Sequence, residues 1–258
     1  MQRKVPFALL LIFVFSATIA SYALGGATDA PAAPNKDSES GGGRPSFAIA
    51  FKSSSLGLGV ESGVSITRFA DVRGGFNAFS FSPTFTSNGI RYDGTLQFRS
   101  AQVLVDLKPF SDWFHISPGM MIYNGNQITA KASVPGGQTF SLGGASFISN
   151  PANPINGNGQ MTFKKAAPMV LFGFGTLVPH SRHFTFYNDI GVVFQGEPRT
   201  VLNLAGSACD PVTGLACVNA ATDPTVQSQV AAEQTKINND TKIAKYYPVF
   251  ALGFGFRF

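Results

Sequence analysis

The end of the chain alternates. Tyr246, Phe250, Leu252, Phe254, Phe256 and Phe258 take the even positions, and Ala251, Gly253, Gly255 and Arg257 fall between them. A strand turns successive side chains to opposite faces, so this segment has one apolar face and one face of small or charged residues. The same period recurs along the chain. Residues 47–52 set Phe47, Ile49 and Phe51 against Ala48, Ala50 and Lys52. Residues 56–67 set Leu56, Leu58, Val60, Val64 and Ile66 against Gly57, Gly59, Glu61, Gly63 and Ser65. Residues 70–81 carry Arg73, Gly75 and Asn77 on one face. In 95–108, Ala101, Val103, Val105 and Leu107 oppose Ser100, Gln102, Leu104 and Asp106, but Leu96 and Phe98 fall out of phase, which predicts a bulge or an exit from the sheet's environment near Arg99. Residues 113–125 place His115, Ser117, Gly119 and Tyr123 opposite Phe114, Ile116, Met120 and Ile122. Residues 162–177 place Lys165, Gly173 and Gly175 opposite Val170, Phe172 and Phe174. Residues 184–195 place Tyr187, Asp189, Gly191 and Val193 opposite Phe184, Phe186, Ile190, Val192 and Phe194. With 246–258 the count is even, as a closed antiparallel ring requires.

Composition decides which face is inside. The chain has 25 Phe and only 13% charged residues. A soluble lipocalin-like barrel or β-sandwich would turn the Phe-rich faces inward, and that many rings would overfill a small barrel. The apolar faces are therefore expected to meet lipid, and the glycines and charges to face inward. Residues 1–23 read as a cleaved signal peptide: Arg3 and Lys4 precede an uncharged run, and Ser21-Tyr22-Ala23 follows it. Beyond it no apolar run approaches the roughly 20 residues of a membrane helix. The formal charge is +5, or +3 without Arg3 and Lys4. Residues 24–45, rich in Ala, Gly, Ser and Pro, read as a flexible linker, and 46–258 as one barrel domain. The links at 68–69, 109–112 and 178–183 are short; those at 85–94, 126–161 and 196–245 are long; 53–55 is a tight turn on the long-loop side. Within 126–161 the alternation of Ile128, Ala130, Ala132 and Val134 predicts a hairpin extension with a mobile tip. Short periplasmic turns and long outer loops are the habit of outer-membrane barrels. Phe69, Phe110 and Trp113 fall by the short turns and Phe81, Tyr123, Tyr246 and Tyr247 at the other rim, where aromatic girdles belong.

The terminal aromatic strand from Tyr246-Tyr247-Pro248 to Phe258, the Gly-rich strands, and Gly75-Phe76-Asn77 after a short turn resemble the small OmpA-like and OmpW-like outer-membrane β-barrels of Gram-negative bacteria, over residues 47–258. The resemblance implies an all-β, eight-stranded antiparallel up-and-down transmembrane barrel with one short helix in its last loop. It also implies that Phe254, Phe256 and Phe258 form a signal read by the barrel-assembly machinery, with outer-membrane lipid and lipopolysaccharide as neighbours. No periplasmic peptidoglycan-binding domain is recognisable, and no nucleic-acid partner is expected.

The expected lumen holds Lys52, Glu61, Arg73, Asp106, His115, Lys165, Asp189 and Arg257. Opposite charges in so narrow a space should pair, because a buried charge without a partner is costly. The reading is a structural ion-pair plug, with a gated ion path as its rival. Cys209 and Cys217 flank a turn-rich spacer in an exported chain, which predicts a local disulfide rather than a metal site; no cofactor or metal is expected. Asp223-Pro224 reads as a helix start, with Val226, Val230, Glu233, Ile237 and Ala244 at helical spacing through 245, lying over the mouth as a solvated helix or a lid. His115-Ile116-Ser117 resembles the His-x-Ser pair of barrel lipid A deacylases, but Pro118 stands where that family has Asn, and the pair faces inward. The chain is therefore expected not to be an enzyme but to act in envelope integrity or surface recognition through its outer loops. The alternatives are a narrow channel or lateral-exit transporter for small apolar solutes, which a pocket among Phe79, Phe81 and Tyr123 would favour, and a lipid-modifying enzyme.

Overall fold

Where the sequence alternates, the chain is strand. The computed structural model describes residues 46–110 and 112–258; the signal peptide and linker expected at 1–23 and 24–45 lie outside the described residues. In chain order the strands are β1 (Phe47–Ser54), β2 (Gly57–Thr67), β3 (Ala70–Phe81), β4 (Thr84–Ser87), β5 (Ile90–Leu107), β6 (Phe114–Asn124), β7 (Gln127–Ser133), β8 (Thr139–Leu142), β9 (Ala145–Ser149), β10 (Asn156–Thr162), β11 (Ala167–Phe174), β12 (Phe184–Phe194), β13 (Arg199–Ala205), β14 (Ser207–Cys209), β15 (Val218–Asn219) and β16 (Tyr246–Arg257), with one helix, α1 (Pro224–Asp240).

A twelve-stranded antiparallel sheet carries most of them. Its pairings run β1–β2–β3–β5–β6–β11–β12–β16 and back to β1, so the ladder returns to its start. The other members, β4, β7, β10 and β13, extend one side of this ring. β5 makes the extension: its later half pairs with β3 and β6, while its earlier half pairs with β4 and β7. β10 and β13 then add to β7, so the wall made below by β5, β6, β11 and β12 continues beyond the ring as β5, β7, β10 and β13.

Glycines make room inside the ring. A Cβ at Gly253 would overlap the Tyr187 ring, and one at Gly173 would overlap the Asp189 carboxylate and the His115 ring. Below, the segment after β11 folds inward, with Leu177 and Val178 packed on Ala48, Ala50 and Tyr187. Gly175 permits that entry: its φ is +81°, and a Cβ there would strike the Phe186 carbonyl. Above, Leu56, Leu104, Met121, Met169, Leu171, Val193 and Val249 form an apolar layer.

Several details differ from the sequence reading. β5 keeps one phase throughout: Leu96 and Phe98 are buried on the same side as Leu104 and Asp106. What changes along it is the interior, polar lower down and apolar above. The bulge lies on β6, where Ala101 pairs Tyr123 and Gln102 pairs Met121, leaving Ile122 extra. That extra residue turns Tyr123 outward (48% exposed) and Asn124 inward. Leu56, placed outward from the sequence, is buried from its turn. The long links are largely folded: 85–94 forms the β4–β5 hairpin, the alternation at 128–134 becomes β7, and the rest of 126–161 and 196–245 supplies β8–β10, β13–β15 and α1. β8, β9, β14 and β15 form a second sheet, and Val134, Phe140, Leu142, Ile155, Leu204 and Val230 share a core with it.

α1 begins as read, with the Asp223 side chain accepting from Val226 N–H at 3.0 Å and Pro224 at the first position. It ends earlier, at Asp240, and a 3-10 turn over Lys242–Lys245 takes up Ala244. It closes the open edge of β13: Thr200 N–H donates to the Asn238 side chain and Leu202 N–H to that of Gln234, at 3.1 and 3.2 Å.

Gly253→Val tests the glycine clefts. The branched side chain must displace Tyr187, and a loss of about 1–3 kcal/mol is expected, read as a lower thermal midpoint in detergent.

Candidate functional site

The interior of the ring is organised by one guanidinium. Arg73 enters from β3, and its Nε donates to Asp106 Oδ1 on β5 at 2.9 Å. Its Nη1 donates to Asp189 Oδ2 on β12 at 2.8 Å and to Glu61 Oε2 on β2 at 3.4 Å. Its Nη2 reaches Ser117 Oγ on β6 at 3.3 Å, and its Cζ lies 5.3 Å from the centre of the Tyr187 ring. The five donors of an arginine are fixed in a plane, so one side chain can hold several strands in register at once.

The carboxylates are satisfied from other directions as well. Glu61 accepts from Lys52 on β1, from Gln102 at 2.6 Å and from the Tyr187 hydroxyl. Asp106 accepts from the Ser117 hydroxyl at 2.6 Å. His115 sets Nε2 2.8 Å from Asp189 Oδ1 and Nδ1 2.8 Å from the Gly175 carbonyl. The side chains of Lys52, Glu61, Arg73, Asp106 and Asp189 are each at most 2% exposed. Charges so buried are tolerated only when paired and hydrogen-bonded. Asp71 and Lys108 make a second buried pair at 2.9 Å, with Thr176 donating to Asp71.

Of the residues read from sequence as the network, the structure brings together Lys52, Glu61, Arg73, Asp106 and Asp189. Lys165 is a correction. β11 starts at Ala167, so residue 165 lies in a link outside the strand, exposed, with its carbonyl accepting from Asn124 N–H. Arg257 is another. At the end of β16 it is beyond reach of the carboxylates and donates to the carbonyls of Pro179 and His180, at 2.7 and 2.6 Å. Asp71 and Lys108 went unread although the signal was present: Asp71 shares the phase of Arg73, and Lys108 that of Asp106. Both sit at strand ends, where alternation gives the least warning.

The remaining candidates fall as follows. Cys209 and Cys217 form a disulfide. The loop between them is shaped by Asp210, whose carboxylate accepts from the backbone and hydroxyl of Thr213 and from Val212 N–H; these bonds hold its pKa below the usual carboxylate value. Phe254, Phe256 and Phe258 stand on the outward face, with the last two rings edge to face at 5.1 Å. His115 does not bond Ser117: the serine donates to Asp106, and the histidine binds Asp189. A nucleophilic serine needs its base in contact with it, and here both groups serve the ion cluster instead.

No protein-family model and no curated protein matches the chain. Among solved structures it is similar to the crystal structure of Acinetobacter baumannii CarO, at 22% identity and a TM-score of 0.52, over 81% of this chain and 96% of that one. It is also similar to the crystal structure of Acinetobacter baumannii CarO2, at 19% identity and 0.53, over 84% of this chain and all of that one (100%). The likeness is one of fold. It agrees with the small outer-membrane barrel resemblance carried by the sequence.

Arg73→Ala leaves Glu61, Asp106 and Asp189 without their shared partner, and a loss of about 3–5 kcal/mol is expected in equilibrium unfolding. At the short-turn end, Asp112 lies outside the ring and clamps His180, accepting from its backbone N–H at 2.9 Å and meeting its ring Nδ1 at 2.9 Å. Partial burial raises its pKa, but the His180 bonds and Lys108 outweigh burial and hold it below the usual value. A depressed carboxylate contributes stability above its unfolded pKa and loses it as pH falls through the folded one. Asp112→Asn should therefore lose under about 1 kcal/mol at neutral pH and show a shallower decline in stability below about pH 4.

Proposed function

We propose that this chain is an integral protein of the Gram-negative outer membrane. The ring is an eight-stranded up-and-down transmembrane barrel with short periplasmic turns, and the parts beyond it form an outer domain. The observation that carries this reading is the outward face of the ring. Phe51, Leu58, Phe76, Phe186, Phe250 and Phe254 are all exposed there, between 46% and 74%, while the charges are inside. A soluble protein does not leave so continuous an apolar surface to water. Phe110, Trp113, Phe114 and Phe174 cluster at the short-turn end, as an aromatic girdle at an interface would.

The polypeptide is exported by a cleaved signal, and the barrel-assembly machinery reads the strand ending at Phe258. The lumen is a plug: the Arg73 cluster fills its middle, with the Leu177–Val178 cap below and the Leu104–Met121–Leu171 layer above. The role is accordingly non-enzymatic and non-conducting, in envelope integrity or surface recognition, with the outer domain as the working part.

One observation bears on the lateral-exit alternative. The β5–β6 ladder is interrupted between the Leu104–Gly119 and Leu107–Ile116 pairs, opposite Pro118, which has no N–H to give. Behind that seam stand Asp106 and Ser117, joined to Arg73, which is poor chemistry for an apolar solute. Phe79, Phe81 and Tyr123 are all exposed, and the Ile122 bulge turns Tyr123 to the outward face.

Planar-bilayer recording of the heat-modifiable outer-membrane protein tests the plug. No steady conductance is expected from the wild type. A stable open state at neutral pH would refute the plug and favour the channel.

A further inference from the structure

The outward face of the extended wall changes character at one level. On β5, Val103 and Val105 face outward below, and Arg99, Gln97, Asp93 and Arg91 continue the same face above. In register with Gln97 stand Gln127, Thr162 and Arg199 on β7, β10 and β13. Four residues further out the row is Asp93, Lys131, Asn158 and Asn203. Beside it lies a shallow cleft of about 260 Å³, whose lining mixes Lys131, Asn158 and Asn203 with Ala132, Leu204 and Ala205. The opposite side of the same wall carries the apolar core, so the polar face is the one left without cover.

Its charge is positive. Arg91 and Asp93 pair with each other at 3.1 Å. Arg99, Lys131 and Arg199 are exposed, and among the described residues no carboxylate lies within ion-pair distance of them. Guanidinium and ammonium groups match phosphate, and rows of amides and hydroxyls match a polyhydroxylated ligand. A protein partner is the poorer fit, since these rows present no aromatic side chain to anchor one.

We infer that this face binds the sugar–phosphate headgroup of an outer-leaflet glycolipid. The inference rests on the transmembrane reading above. It follows from position as well as charge: the face begins where the lipid-facing surface ends, so the headgroups of adjoining lipids lie against it. Arg99 and Arg199 mark the phosphate level, and Lys131 with Asn158 and Asn203 meets the sugars further out.

The test uses the full-length mature protein, folded in mild detergent, with bisphosphorylated lipid A as probe and retained lipid counted by native mass spectrometry. The wild type should retain the lipid, and the Arg99→Glu/Lys131→Glu/Arg199→Glu variant should retain at least about tenfold less while keeping its heat-dependent gel shift. Dephosphorylated lipid A should bind no better to the wild type than intact lipid A binds to the variant. If the triple variant does not fold, Arg99→Gln and Arg199→Gln are measured singly and should each weaken retention. Equal retention by shifted wild type and shifted variants overturns the inference and leaves the barrel standing. Full displacement by millimolar inorganic phosphate also overturns it, since the site would then be one for free anion. A wild type with no gel shift overturns the barrel and this inference together.

Discussion

Everything inside the ring depends on the Arg73 guanidinium and the three carboxylates that converge on it from β2, β5 and β12. A charge in that position would be prohibitive alone. It persists because its bonds are shared among strands far apart in sequence, so the cluster favours one register of the whole ring over its neighbours. Slipping β1, β2, β3, β5 or β12 by one residue would turn its charge to the apolar side and leave the partners bare. The same requirement explains the glycines. Glu61, His115 and Tyr187 are long or broad side chains, and they reach the interior because Gly75, Gly173 and Gly253 leave their places empty.

The chemistry of the two surfaces is inverted relative to a soluble protein, and that inversion was legible in the sequence. Alternation located all the strands of the ring, and the number of Phe on one phase placed that phase outside. Lys52, Glu61, Arg73, Asp106 and Asp189 followed from phase alone. The errors came where phase is not conserved along a segment or does not apply. Lys165 has the right parity for the interior, but the strand begins only at Ala167. Tyr123 was misplaced by the one residue inserted at Ile122. Leu96 and Phe98 looked out of phase only because the interior itself changes from polar to apolar along β5.

The outer part was the least legible. Asn126 and the residues after it are rich in Gly, Ser, Asn and Pro, which are turn formers, and their short strands gain stability from pairing with distant segments rather than from local preference. β7, β10 and β13 become a wall because the ring beneath already sets β5, β6, β11 and β12 side by side. α1 was found from its cap and spacing, yet its task, satisfying the free edge of β13 through Gln234 and Asn238, depends on an edge that the sequence does not announce. The result is a short greasy ring with a buried ionic core, bearing a half-wall whose inner side is packed and whose outer side is polar.

The most direct measurement of the central claim is accessibility along β12. Single cysteines at positions 184–194 would carry nitroxide labels; Cys209 and Cys217 are tied in a disulfide and do not compete for label. In lipid bilayers the labels at Phe184, Phe186 and Ile190 should respond strongly to oxygen and little to a water-soluble relaxant, and the label at Thr185 to neither. Strong response to the water-soluble relaxant at Phe184, Phe186 and Ile190, with no oxygen effect, would contradict a lipid-facing ring built around Arg73.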